Sequence, residues 1–183
     1  GRLLRAGRGL VHCDVELRDA ASGQGFAYGQ TGFMRVPRRH GDPEQPHLHE
    51  PVGLDELLRI ERPLTEEVGV RVVDALRGHV EVEMRDALRN HAGALQGALA
   101  ALVGEIAAER LADTVGGAPR VVTDLDVRYL AMARAGPIWT RAEWIGGPGS
   151  GAIRVELRDR GKSDRLVTTV LARVEPASLD AAA

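Results

Sequence analysis

Between Ala94 and Ala112, thirteen of nineteen residues are Ala, Leu, Val or Ile, and they spread over almost every helical face. A helix apolar all round is buried rather than laid on a surface. The pattern predicts one long buried helix, opened by the polar turn Arg89-Asn90-His91-Ala92-Gly93 and ended near Gly116-Gly117, where glycine suits a C-terminal cap. On either side the hydrophobic period shortens to two. Residues 68–74 and 79–85 read as strands around a turn at Gly78, and 121–130, 138–145, 153–158 and 165–175 as four more. Gly136-Pro137 and the glycine-rich run 146–151 turn the chain between them. Residues 54–60 read as a short amphipathic helix. Successive strands joined by short turns pair antiparallel. The expected class is therefore α+β, an antiparallel β-sheet wrapped around a long central α-helix.

The first residues carry a second pattern. Residues 10–19 alternate as a strand with Val11, Cys13, Val15 and Leu17 on one face, residues 20–25 turn, and 26–36 return as a strand. Such a hairpin cannot bury itself alone. The run Val15-Glu16-Leu17-Arg18-Asp19 recurs as Val155-Glu156-Leu157-Arg158-Asp159, Gly7-Arg8-Gly9 falls over Gly147-Pro148-Gly149, and a strand follows each copy. This predicts an internal duplication. Residues 1–36 are then the C-terminal strands of a truncated first repeat, and 53–176 a complete second one. Residues 37–52, with Pro37, Pro43, Pro46 and Pro51 among charges, form a linker, and 177–183 a frayed tail.

Composition narrows the classes. The 183 residues allow one good core and part of another. With 24 basic against 26 acidic side chains, nothing points to nucleic acid or an anionic membrane surface, and 3% aromatics argue against a base-stacking platform. One cysteine, Cys13, permits no intrachain disulfide and fits a reducing, cytoplasmic setting, with the thiol read as a core residue. No apolar run is long enough for a membrane span. The opening residues lack a signal peptide's apolar core and an initiator methionine, as a fragment or processed chain would. His40, His47 and His49 cluster in the linker without a nearby cysteine and read as a solvated loop. No metal or cofactor is expected.

One carboxylate, Glu105, stands in the middle of the apolar helix. Buried without a partner it is costly, so it has either a partner or a task. Its partner could be Arg110 or Arg128, which would make it an ordinary surface glutamate. Asn90 and Gly93 could simply form the turn that caps the helix, with His91 as cap or solvated neighbour. Gly97 could be a close helix–sheet contact, and Thr123 a plain strand residue. The functional reading joins them. A helix N-terminus offers free amides and partial positive charge, and Gly97 lets a ligand approach them, as an oxyanion site requires. Glu105, eight residues on, lies about 12 Å further along the axis. One helix cannot make that whole site. A second, antiparallel helix would bring one Glu105 to the other Gly97, so the spacing points to a dimer or a tandem.

Over about residues 53–176 these motifs resemble hotdog-fold acyl-CoA thioesterases of the PaaI-like (phenylacetate pathway) family. The resemblance rests on Asn90-x-x-Gly93-x-x-Gln96-Gly97, on Glu105 eight residues beyond Gly97, and on Val121-Val122-Thr123-Asp124-Leu125 opening the next strand. The family pattern is Asn-x-x-Gly-x-x-His-Gly-Gly, so Gln96 stands where the family has His and Ala98 where it has a second Gly. The resemblance implies hydrolysis of an acyl-CoA substrate to free acid and coenzyme A. It makes Glu105 nucleophile or general base, the Gly97 amide the group that polarises the carbonyl, Asn90 the group that positions substrate or water, and Thr123 a holder of water or of Glu105. Gln96, Gly93 and Arg128 would line the substrate, and Arg120, Arg134 and Arg141 either meet coenzyme A phosphates or form a solvated edge. It further implies a homo-oligomer built through sheet and helix pairing, with Asn90 and Gly97 of one protomer facing Glu105 and Thr123 of another. The departures at Gln96 and Ala98 leave an alternative, a non-catalytic hotdog module that binds acyl-CoA or scaffolds a partner. A hydratase ranks last, because that chemistry needs a histidine where Gln96 stands.

Overall fold

Charged residues alternating with aliphatic ones build both sheets of this protein. The computed structural model describes residues 1–34 and 62–177. The chain divides into two compact units, Gly1–Leu57 and Leu58–Ala183. The predicted linker, the helix over 54–60, the end of the strand at Val36, the linker histidines and the tail from 178 lie outside the described residues.

In the first unit, β1 (Arg2–Ala6), β2 (Leu10–Arg18) and β3 (Gly25–Met34) form an antiparallel sheet in that order. The sequence predicts a hairpin here, and β1 adds a third strand to it. The buried side chain among the described residues of this unit is a carboxylate, Asp14. It accepts hydrogen bonds from Arg2 Nη2 at 2.6 Å, Tyr28 Oη at 2.9 Å and Gln30 Nε2 at 3.1 Å. The first two donors hold its pKa below the usual carboxylate range. On the opposite face Val15 and Leu17 are exposed.

The second unit opens with α1 (Leu64–Val68), β4 (Arg71–Asp74) and β5 (His79–Val82), then α2 (Gly97–Asp113). Four strands follow: β6 (Arg120–Tyr129), β7 (Ile138–Trp144), β8 (Ala152–Asp159) and β9 (Arg165–Pro176). They form one antiparallel six-stranded sheet in the order β4-β5-β7-β8-β9-β6, packed against α2. In β8, Ile153, Val155 and Leu157 are fully buried while Arg154 lies exposed and Glu156 and Arg158 half-exposed. The helix answers with Ala100, Val103, Gly104, Ala107, Ala108, Leu111 and Ala112, the three- and four-residue spacing of one helical face. At Gly104 a Cβ would lie 2.7 Å from Val170 Cγ2, so the absent side chain is what lets helix and sheet meet.

Several details differ from the sequence expectation: α1 occupies Val68, where the sequence reading begins a strand, so β4 starts at Arg71, and β5 ends at Val82 instead of Arg85. The helix ends at Asp113, short of the glycines, because the Thr114 hydroxyl donates to the Leu111 carbonyl at 2.7 Å and satisfies the last turn. Burial is also one-sided. Ala98 is exposed, and Leu99, Ala101, Leu102, Glu105 and Glu109 are half-buried. The sheet covers only one side of α2. Strand β6, ten residues long, is an edge of the sheet, with a bulge between Val122 and Asp124.

Candidate active site

The loop before α2 is a turn built by Asn90. Its Oδ1 accepts from the amides of Ala92 at 2.9 Å and Ala94 at 3.2 Å, and its carbonyl accepts from Gly93 N at 2.9 Å. Gly93 sits at φ 72°, in the left-handed region that favours glycine. Arg89 locks the loop by donating to the carbonyls of Gly93 and Arg134, both at 2.8 Å. The turn reading of Asn90 and Gly93 is therefore correct in geometry, and the same turn sets Asn90 beside the helix N-terminus.

Gln96 is the N-cap. Its side-chain oxygen accepts from Leu99 N at 3.2 Å, and its carbonyl from Ala100 N at 3.1 Å. Among the described residues, the amides of Gly97 and Ala98 have no acceptor, as expected for the first turn of a helix. Asn90 and Gly97 line a common cleft of about 190 Å³ with Leu95, Tyr129, Met132 and Thr168. Ligand sites are typically about 300–1,000 Å³, so this cleft is smaller than a complete site.

Tyr129 was not legible as a site residue. Its hydroxyl donates to the Gly97 carbonyl at 2.8 Å, clamping the end of β6 to the start of α2. Burial pushes its phenol pKa up. The sequence signal, a tyrosine closing a strand, is common to structural tyrosines. Thr168, opposite Tyr129 in the β6–β9 register, is buried in the cleft wall and was likewise not anticipated.

Glu105 lies two turns along α2 and is half-buried. Neither cation that could neutralise it does so. Arg110 pairs with Asp113 at 3.6 Å and Arg128 with Asp126 at 2.8 Å. Among the described residues Glu105 has no ion pair. Burial, and secondly the neighbouring Glu109 charge, push its carboxyl above the ordinary glutamate range. Glu109 is held by Val122 N, which donates to its Oε1 at 3.2 Å. Thr123 follows at the bulge of β6 and is exposed. The structure thus joins Asn90 and Gly97 at one cleft, and leaves Glu105 and Thr123 outside its lining. Arg128 is exposed and engaged with Asp126. Among the described residues there is no cluster of His, Cys, Asp or Glu that could hold a metal, and no helix long and apolar enough to cross a membrane.

No family model matches the chain, and no curated protein matches it by sequence. Solved structures do match. A phenylacetic acid degradation-related protein of Ralstonia eutropha, provisionally named a thioesterase, is 25% identical with a TM-score of 0.50, covering 62% of this chain and 92% of its own. The PaaI protein of the Escherichia coli phenylacetic acid degradation operon is 13% identical with a TM-score of 0.54, covering 64% and 86%. A provisionally named esterase of Mycobacterium tuberculosis is 18% identical with a TM-score of 0.56, covering 64% and 98%. The second unit, one helix held against an antiparallel sheet, matches these structures along most of their length, and it therefore carries the hotdog fold.

Proposed function

We propose that this protein hydrolyses acyl thioesters of coenzyme A, at sites completed by a second copy of the chain. One observation carries the reading: among the described residues Glu105 is half-buried and without an ion pair, on the same helix whose first amides have no acceptor beside Asn90. The resemblance of the fold to thioesterase-superfamily structures supports it. Two such helices laid antiparallel would set each Glu105 opposite the other helix's Gly97. The half-exposed side of α2 and the free edge of β6 are the surfaces available for that pairing.

In this reading the thioester carbonyl oxygen accepts from the Gly97 amide, where the helix N-terminus stabilises the oxyanion as it forms. Asn90 donates its side-chain amide to substrate or water, its oxygen being already engaged in the turn. Glu105 of the other copy takes a proton from water as the water oxygen attacks the carbonyl carbon. The C–S bond then breaks, the carboxylic acid leaves, and the proton passes to the thiolate. Thr123 would hold the water or Glu105. In the nucleophilic version the Glu105 carboxylate attacks the carbonyl carbon itself, the C–S bond breaks to release the coenzyme A thiolate, and water opens the resulting anhydride to the free acid and the regenerated carboxylate.

Purified protein offered a panel of aliphatic and aromatic acyl-CoAs should release free thiol. Glu105→Gln should lower kcat by about 10²–10⁴-fold, the usual contribution of a general base, with KM little changed. Full activity in that variant would remove Glu105 from the mechanism. A base must be deprotonated, so the rate should rise with pH through a value above the ordinary glutamate range, in keeping with the raised pKa. Mixing Glu105→Gln with Asn90→Ala protein should restore about a quarter of wild-type activity through mixed dimers that each hold one intact site. Without any recovery the shared site is wrong. Coenzyme A binding with no turnover of any acyl group would favour the binding-module alternative, for which Gln96 acting as a helix cap is the supporting observation.

A further inference from the structure

The two units share more than a five-residue match. Val15 falls on Val155, and at that spacing β2 falls on β8, β1 on the end of β7 and the turn after it, and β3 on β9 with its pairing to the middle strand displaced by one residue, Val15 facing Gly29 and Val155 facing Val170. Each unit places the middle strand between the other two, all antiparallel. A register shift occurs at Leu17/Arg18 in one and at Leu157/Arg158 in the other. The ion pair Arg18–Glu16 at 2.7 Å is repeated by Arg158–Glu156 at 2.9 Å. These pairs mark the charged face of each middle strand. The opposite face is Ile153, Val155 and Leu157 in β8, fully buried, and Cys13, Val15 and Leu17 in β2. There Val15 is 38% and Leu17 51% exposed, and Phe33, opposite Val11 on the same face, is 59% exposed.

We propose that residues 1–34 are the three-strand half of a second hotdog, and that the Cys13–Val15–Leu17 face is the seat of a helix of α2's chemistry, rich in Ala, Leu and Val. The seat differs from that of α2 in one respect. Val155 pairs with Val170, which Gly104 must clear, whereas Val15 pairs with Gly29, beside which a Cβ would meet nothing within 4 Å. The helix on this seat therefore needs no glycine at the position of closest approach, and carries Ala or a larger residue there. The proposal is independent of the catalytic reading.

Cys13 is the chain's one cysteine and lies on the seat, so a thiol reagent reads this face alone. A second copy of residues 62–137, which supplies a helix of this chemistry, is fused through a flexible linker ahead of Gly1 of the full chain. The fusion should slow Cys13 labelling by about ten-fold or more and slow amide exchange in β2, since tethering supplies a high local concentration. Within the fusion, Leu17→Lys should restore the fast rate and Glu16→Gln, on the charged face, should not. Labelling within two-fold of the unfused chain would overturn the proposal. If the fusion does not fold, a peptide of residues 94–115 with Gly104→Ala is titrated onto the unfused chain. Saturable slowing of labelling, lost in Leu17→Lys, supports the seat, and unchanged labelling overturns it. A dimer of the unfused chain that protects Cys13 and is dissociated by Leu17→Lys would give the face to a second copy's sheet, and would overturn the helix as its occupant.

Discussion

Strands β2 and β8 share the run Val-Glu-Leu-Arg, each between two antiparallel neighbours, yet Leu157 is fully buried and Leu17 is 51% exposed. The outer faces of the two agree, down to the Arg–Glu pair along each strand. The inner faces differ because α2 lies on one and no described element of the first unit lies on the other. The alternation of a strand therefore selects which side can be buried, and the packing element decides whether it is. An antiparallel sheet with one solvated face is ordinary, but it needs the other face covered.

The sharpest break of this comparison is to truncate both leucines. Leu157→Ala removes a fully buried side chain between β7, β9 and α2 and should cost about 2–5 kcal/mol. Leu17→Ala removes an exposed one and should fall within about 0.5 kcal/mol. Urea unfolding of the two variants measures both. Equal losses would mean that the first unit's apolar face is already covered in solution.

The aspartates that close the repeated run separate the units again. Asp19 caps its own turn, accepting from Ser22 N and Ser22 Oγ at 2.7 Å and from Ala21 N at 3.1 Å. Asp159 is buried and reaches another loop, accepting from Arg134 N and Ala135 N at 2.8 and 2.9 Å and from Gly136 N at 2.8 Å. Burial pushes Asp159 up, but the backbone donors together outweigh it and hold the pKa below the usual range. A carboxyl depressed in the folded state stabilises above its unfolded pKa of about 3.9, and that contribution is lost as pH falls through the folded value. Asp159→Asn should cost about 1–3 kcal/mol at neutral pH, with the gap to wild type closing in acid. Asp19→Asn should show a smaller loss, because its partners are exposed and local. An acid profile unchanged by Asp159→Asn would remove this loop anchor from the account.

The strands of the second unit were legible because inward and outward residues alternate, as Ile153 and Arg154 do, and α2 because its apolar run exceeds any strand. Strand β1 was not. Leu3-Leu4-Arg5 does not alternate, and its place is set by pairing with β2, beyond any local window. Gly97 and Glu105 are marked by their spacing along one helix, and Asn90 by the family resemblance of the turn before it. Tyr129 was hidden because its bond to Gly97 spans 32 residues of sequence. Arg128, expected on the substrate, instead meets Asp126, two residues away on the same face of an exposed strand.

The finest separation of the two sheets is a single pair of glycines. At Gly104 a Cβ would sit 2.7 Å from Val170 Cγ2 and 3.6 Å from Leu157 Cδ1, so Gly104→Ala should overpack the helix–sheet contact and cost about 1–3 kcal/mol. The penalty exceeds the gain in helix propensity, about 1 kcal/mol for Gly to Ala, only if the valine cannot yield. Val170→Ala in the same chain should recover part of the loss, and a double-mutant cycle isolates the coupling. In the first unit the sheet side supplies the space. Gly29 has no left-handed φ and an added Cβ meets nothing, so Gly29→Ala should leave stability unchanged or raise it by about 0.4–1 kcal/mol through the unfolded chain. If Gly29→Ala is instead as costly as Gly104→Ala, a helix already rests on the first sheet at the same close distance, and the two faces are equivalent in packing.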